Sequence, residues 1–157
     1  MAETNNTAQT ENPAQKAADR EITLTFVIPC YNSEDYMDAC ISSMIGAGED
    51  TEIIVVNDGS KDHTGAKADK WAQAMPDKIR VIHQENAGHG GAVMAGLQAA
   101  RGHYFKVVDS DDWLDRVGLN LLMSKLRTFL AHNERVDLVV CNLSLIHISE
   151  PTRRYAI

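Results

Sequence analysis

Short, β-branched apolar runs alternate with stretches of helical periodicity along most of this chain, and that alternation leaves it few folds to adopt. The runs are Leu24–Pro29 (LTFVIP), Glu52–Asn57 (EIIVVN), Ile79–His83 (IRVIH), Tyr104–Val108 (YFKVV) and Asp137–Cys141 (DLVVC). Each is nearly continuous in apolar residues, as strands covered on both faces should be. Five such strands predict a parallel or mostly parallel sheet. Between them, Ser33 is placed to cap a helix whose apolar stripe is Tyr36, Met37, Cys40, Ile41, Met44 and Ile45, with Gly46 and Gly48 as its stop. Lys61–Met75 reads as a more polar helix ended by Pro76. In Gly90–Arg101 the small residues Ala92, Ala95, Gly96 and Ala99 would let a helix lie close to the sheet, with Val93 and Leu97 packing. Leu119, Leu122, Leu126 and Phe129 form the apolar face of a fourth helix. The expected fold class is α/β, a three-layer α/β/α sandwich around a mostly parallel, Rossmann-like sheet.

Composition narrows the function classes. With 157 residues, 44% of them hydrophobic, the chain fits one domain with an ordinary core. A formal charge of −7 argues against the basic surface that a phosphate backbone requires, so no nucleic acid is expected as a partner. No apolar run approaches the roughly 18 residues of a membrane span, and the amino end lacks a secretory pattern. The expected location is therefore cytoplasmic. Cys30, Cys40 and Cys141 sit in apolar surroundings without CxxC spacing and read as reduced core residues.

The two ends differ from the middle. Met1–Arg20 is polar, with no large apolar residue after Met1, and is expected to be a disordered tail. Its Asn5-Asn6-Thr7 acceptor pattern is read as chance in a chain without secretory targeting. At the other end Leu143–Arg153 (LSLIHISEPTR) resembles the translation of a sequencing-library adapter. Residues 143–157 are therefore expected to be a non-native tail, and the domain, over 21–142, to be incomplete. The other reading is a genuine strand Leu143–Ile148 followed by a Ser-Glu-Pro turn.

In a parallel sheet, ligands gather beyond the carboxyl ends of the strands. The residues there are Pro29–Glu34, Asn57–Ser60, Gln84–Gly91 and Asp109–Asp112, four loops that would converge on one mouth. Asn57-Asp58-Gly59-Ser60 alone could be only a turn. Asn86–Gly91 could be a flexible start to a helix, or its amides could bind phosphate. The chain lacks the lysine and hydroxyl pair of a P-loop and a GxGxxG after the first strand, so ATP hydrolysis and nicotinamide chemistry lose support. Asp109, Asp111 and Asp112 crowd like charges together, a cost most simply relieved by Mn²⁺ or Mg²⁺. The competing reading is a helix-start cluster, with Asp112 near the positive end of the next helix.

Taken together, VIPCYNSEDY, EIIVVNDGSKDHT, ENAGHGGAVMAGLQAARG and VVDSDDW resemble, in order, the amino-terminal half of a family-2 glycosyltransferase of the GT-A fold. The resemblance covers about Thr23–Asn142. It implies that Pro29, Tyr31 and Glu34 form the first nucleotide-contacting loop, and that Asp58 hydrogen-bonds the pyrimidine base. It further implies that Asp109 approaches the ribose or the metal, and that Asp111 coordinates a Mn²⁺ or Mg²⁺ bridging the donor diphosphate. Asn86 and His89 stand near the donor in the same scheme. Which carboxylate of DSDD ligates and which orients stays open.

The implied reaction moves a sugar from a nucleotide-diphosphate donor, a UDP-sugar, to an acceptor hydroxyl on a carbohydrate or lipid-linked molecule, with inversion. The metal neutralises charge on the leaving group, and a general base takes the hydroxyl proton. In the family that base comes from the half after this sheet, so it is expected beyond Asn142. Asp115, beside the metal cluster, and Asp137, at a strand start, are poor substitutes. Two other readings stand beside this one: a catalytically incomplete nucleotide-binding module, and a nucleotidyltransferase. The latter wants a basic, glycine-rich loop after the first strand, whereas Pro29–Glu34 has no Lys or Arg.

Overall fold

The computed structural model describes residues 20–140. Cys141, the tail before Arg20 and the Leu143–Ile157 segment lie outside the described residues. Four strands, β1 (Leu24–Cys30), β2 (Thr51–Asp58), β3 (Ile79–Gln84) and β4 (Tyr104–Val107), alternate with four helices. These are α1 (Met37–Ile45), α2 (Thr64–Ala74), α3 (Gly88–Ala99) and α4 (Arg116–Ala131). All strand pairs are parallel, in the order β3-β2-β1-β4.

The continuous apolar runs of β1 and β2 are explained by their central place: every residue of both strands is buried. Leu24, Phe26, Ile28, Ile53 and Val55 face one way, into a core completed by α1, Ala68 of α2, and Leu119, Met123 and Leu126 of α4. Val27, Ile54 and Val56 face the other way, under Ala92 of α3. The sheet is thus the middle of three layers. Close approach of α3 depends on Gly96, where an added Cβ would run into the Val27 side chain. Leu97, by contrast, is 46% exposed, because the stripe facing the sheet runs through Ala92, Gly96 and Ala99 and leaves Leu97 about 100° further round.

Beneath α3, the carboxylate of Glu52 is fully buried at the amino end of β2. It accepts from Thr25 Oγ1 (2.8 Å), Arg101 N (2.7 Å), Arg101 Nε (2.9 Å) and Arg80 Nη2 (3.0 Å). Burial alone would raise its pKa, but these partners outweigh it and hold the group below the usual range. Arg20, assigned to the tail by its sequence, is tied to the domain through the carbonyls of Thr51 (3.3 Å) and Asp77 (2.9 Å).

Two further expectations need correction. The apolar run from Asp137 forms no strand through Val140. It lines a groove of about 730 Å3 together with β4 but pairs with no strand, and Leu138 and Val140 are exposed while Val139 packs against the core. Nor does Ser33 cap a helix with its side chain. A turn closed by Ser33 O intervenes, α1 begins at Met37, and the Ser33 hydroxyl meets Ser110 instead. Among the described residues no helix is long and apolar enough to cross a membrane.

Candidate functional site

The strand order turns back on itself between β1 and β4: β2 and β3 are added on one side of β1, and β4 on the other. At such a reversal the loops diverge and leave a crevice. Pro29 sharpens the divergence. The Val27 carbonyl takes the Val108 amide at 2.9 Å, and the next β1 position facing β4 is Pro29, which has no N–H to extend the ladder. Beyond Val108 the chain leaves the sheet, and Asp109 to Asp112 curl into a turn closed by Asp112 N to Asp109 O (2.9 Å).

A cleft of about 480 Å3 opens there. Pro29 at the end of β1 and Tyr31 and Ser33 after it line the cleft, with Asp58 at the end of β2, Asn86 after β3, Gly88 and His89 at the start of α3, and Asp109, Ser110 and Asp111 after β4. The four loops expected to converge do so. Tyr31 is half-exposed, whereas Asp58 is 3% exposed at the floor. Asp58 Oδ1 accepts from Gln84 Nε2 (2.7 Å) and from the Ala87 amide (2.8 Å), so both described bonds fall on one oxygen and Oδ2 is left to accept from a ligand. His89 Nε2 stands 3.8 Å from Asp109 Oδ1, an ion pair when the ring is protonated. Cys30 also lines the cleft, but burial pushes its thiol up to about 12, so it is an apolar wall and not a nucleophile. Burial does the same to Cys40, and both are free thiols.

Glu34 does not line this cleft. Its Oε2 accepts the His63 amide at 2.8 Å and lies 2.8 Å from His63 Nδ1; these bonds, the amide first, keep the carboxyl below the usual range. Its amide donates to Asp62 (3.2 Å), Ser33 N donates to Thr64 Oγ1 (2.7 Å), and Asn32 exchanges bonds with Ser60 (3.0 Å) and Lys61 (2.8 Å). The segment from Asn32 to Glu34 is therefore laced to the segment from Ser60 to Thr64. Asn32 adopts φ +51° to make this fit, a conformation that asparagine tolerates.

Asp109 and Asp111 both project into the cleft. Among the described residues no three His, Cys, Asp or Glu side chains lie close enough to hold an ion by themselves. Two carboxylates with room for further oxygens match Mg²⁺ or Mn²⁺, which complete their shells with phosphate and water. The two carboxylates are therefore chemically suited to such an ion once other oxygen ligands complete its shell. Asp115 is engaged elsewhere, since its Oδ2 accepts from Gly118 N at 2.7 Å and caps α4, the helix whose positive end was weighed as a place for Asp112. Asp137 pairs with Arg135 at 3.3 Å on the surface. Gln84, His83 and the Asn57 side chain support the Asp58 turn, a role that their position at strand ends did not signal.

Comparison with known proteins gives this geometry a context. The chain is 38% identical over 120 residues to the "Putative glycosyltransferase EpsH" of Bacillus subtilis (strain 168), covering 76% of this chain and 33% of that protein. It is 36% identical over 128 residues to "Glycosyltransferase GlyA" of Streptococcus pneumoniae serotype 4, covering 81% and 18%. Among solved structures, S. aureus TarS 1-349 in complex with UDP superimposes with a TM-score of 0.59 at 25% identity, over 71% of this chain and 33% of that one. The same protein in complex with UDP-GlcNAc gives a TM-score of 0.58. The chain spans a third or less of the length of these curated relatives. Through residues 25–150 it matches the model of Glycosyl transferase family 2, and it belongs to that family.

Proposed function

We propose that this domain holds the nucleoside diphosphate of a nucleotide-sugar donor, a UDP-sugar, for transfer of the sugar with inversion to an acceptor hydroxyl on a carbohydrate or lipid-linked molecule. The observation that carries the reading is the cleft at the strand-order reversal, in which a buried carboxylate, Asp58, and a pair of exposed ones, Asp109 and Asp111, occupy opposite sides. Asp58 Oδ2 accepts an N–H of the base, and Tyr31 and Pro29 offer it an apolar wall. Asp109 and Asp111 hold Mn²⁺ or Mg²⁺ with the diphosphate, and the ion supplies charge neutralisation for the leaving group. Membership of the family and the TarS complexes with UDP and UDP-GlcNAc support a uridine diphosphate donor. Glu34 serves as a tether between loops, not as a donor contact. The catalytic base comes from beyond Asn142, and the enzyme works in the cytoplasm on cell-surface polysaccharide.

Titration calorimetry with UDP-GlcNAc tests the assignment. Mn²⁺ should tighten binding by about tenfold, Asp111→Asn should remove that gain, and Asp58→Asn should weaken binding with or without the ion. Equal affinities for all three proteins, with or without Mn²⁺, would overturn it.

A further inference from the structure

On β3 the ring of His83 stands between two partners. Nδ1 lies 3.0 Å from Asn57 Nδ2, and Nε2 lies 3.0 Å from Asp69 Oδ1 on α2. Asn57 fixes the tautomer. Its Oδ1 accepts the Ser60 amide at 3.2 Å, so its other terminal atom is the NH2, a donor only. A donor facing Nδ1 requires a lone pair there, which puts the ring proton on Nε2, from where it is donated to Asp69. The bonds run in one direction, from Ser60 N–H to Asn57, from Asn57 to His83, and from His83 to Asp69. Gly65 of α2 leaves space for the arrangement, since a Cβ there would come within 2.9 Å of Asn57 Nδ2.

The turn at the head of this relay is the one that carries Asp58. Ser60 Oγ accepts the Asn32 amide at 3.0 Å, which joins the turn to the loop after β1. Gly59, at φ +71°, backs onto the loop after β3 so closely that a Cβ would lie 2.7 Å from Asn86 N. A change at Asn57 is therefore felt on two other sides of the cleft.

Protonating His83 places a second hydrogen on Nδ1, facing the NH2 of Asn57, and two donors then meet with no acceptor between them. The Asp69 bond survives, because Nε2 keeps its proton. The least costly relief is a half-turn of the Asn57 amide, which offers Oδ1 to the imidazolium and turns the NH2 toward the Ser60 amide, breaking that bond. We propose that neutral His83 is a positioning residue for the cleft, and that its protonation releases the Ser60 turn and loosens the grip on a nucleotide base beside Asp58. The effect on the nucleotide rests on the donor-site reading above; the release of the turn does not.

The other charged groups of the packed elements are turned elsewhere. On α2, Lys67 bonds Asp38 and the Glu34 carbonyl, and Lys70 is exposed. On β2, Asp58 is held by Gln84 and Ala87, and Glu52 sits at the far end of the strand with Arg80 and Arg101. Asp69 accepts the Nε2 proton in either charge state of the ring, so the Asn57 side alone registers the change.

The test is an NMR and calorimetric titration from about pH 8 to about pH 5, where imidazoles change charge, on the wild type and His83→Asn. The asparagine can present a hydrogen-bonding oxygen near the Nδ1 position and does not titrate. In the wild type, the Ser60 amide protection factor, corrected for intrinsic exchange, should fall about tenfold as the His83 ring protonates. Over the same interval the dissociation constant for UDP-GlcNAc should rise about fivefold. In His83→Asn the Ser60 protection should stay flat, and the dissociation constant should rise about fivefold less than in the wild type, other cleft groups such as His89 being common to both proteins. A wild-type ring that protonates while Ser60 protection holds overturns the relay, and that comparison needs no variant. Parallel affinity profiles in the two proteins overturn the link to the ligand. If Ser60 protection follows the ring but UDP-GlcNAc binds at no pH, the relay stands and the donor-site reading fails instead.

Discussion

Ser33 Oγ and Ser110 Oγ meet at 2.8 Å, joining the loop after β1 to the loop after β4 across the line where the strand order reverses. Ser33 is itself anchored, because its amide donates to Thr64 Oγ1 at the start of α2. The acidic turn that contains Asp109 and Asp111 is thereby tied to the start of α2 through a hydroxyl pair, beside its Cys40 Sγ to Asp109 O contact with α1. Ser110→Ala should cost about 1 kcal/mol, since it leaves the buried Ser33 hydroxyl without that partner. The expected result is a lower urea midpoint with an unchanged m-value. A midpoint equal to the wild type would show that the pair does not hold the loop.

At Gly96 the sign of a substitution distinguishes two accounts. In a free helix, Gly→Ala gains about 1 kcal/mol from propensity. Here the new Cβ would collide with Val27 in the sheet, so Gly96→Ala should destabilise by about 1 to 2 kcal/mol. Adding Val27→Ala makes room, and the double variant should lose less than the sum of the two single losses. Urea unfolding of the three proteins checks this; a stabilised Gly96→Ala would mean that α3 does not lie so close to the sheet.

The parts of the fold that the sequence makes legible are those governed by local burial. β1 and β2 begin and end within one residue of their apolar runs, because both strands are covered on both faces. The convergence of the strand-end loops is legible for a topological reason, since parallel strands deliver every carboxyl end to one edge. What stays hidden depends on partners distant in the chain. The bond between Glu34 and His63 spans 29 residues, and only the fold brings them together. The same holds for His83 and Asn57, 26 residues apart. The Asp137 run carries strand composition but pairs with no strand through Val140, which composition cannot reveal. Capping by Asp115 depends on the helix starting at Arg116, a boundary that the preceding acidic cluster obscures.

Asp50 and Arg127 predict how the domain responds to acid. Arg127 Nε donates to Asp50 Oδ2 at 2.9 Å and Nη2 reaches Oδ1, while Nη2 also bonds the Ala47 carbonyl at 3.0 Å. This fork clamps α4 to the segment between α1 and β2. The guanidinium holds the Asp50 carboxyl down at about 2, against about 3.9 for an ordinary aspartate. A carboxyl with a depressed folded pKa stabilises fully above its unfolded value and loses that contribution as pH falls toward the folded one. Asp50→Asn should therefore cost about 1 kcal/mol at pH 6, a figure kept small because the pair is partly exposed to solvent. The gap from the wild type should narrow below about pH 4 and close near pH 2. Added salt at pH 6 should narrow it as well, because screening acts on the charges and leaves the geometry intact. Urea unfolding at pH 6, 4 and 2.5 measures the gap. A gap that stays constant down to pH 2.5 would show that the fork holds α4 through hydrogen bonding that outlives the charge on Asp50.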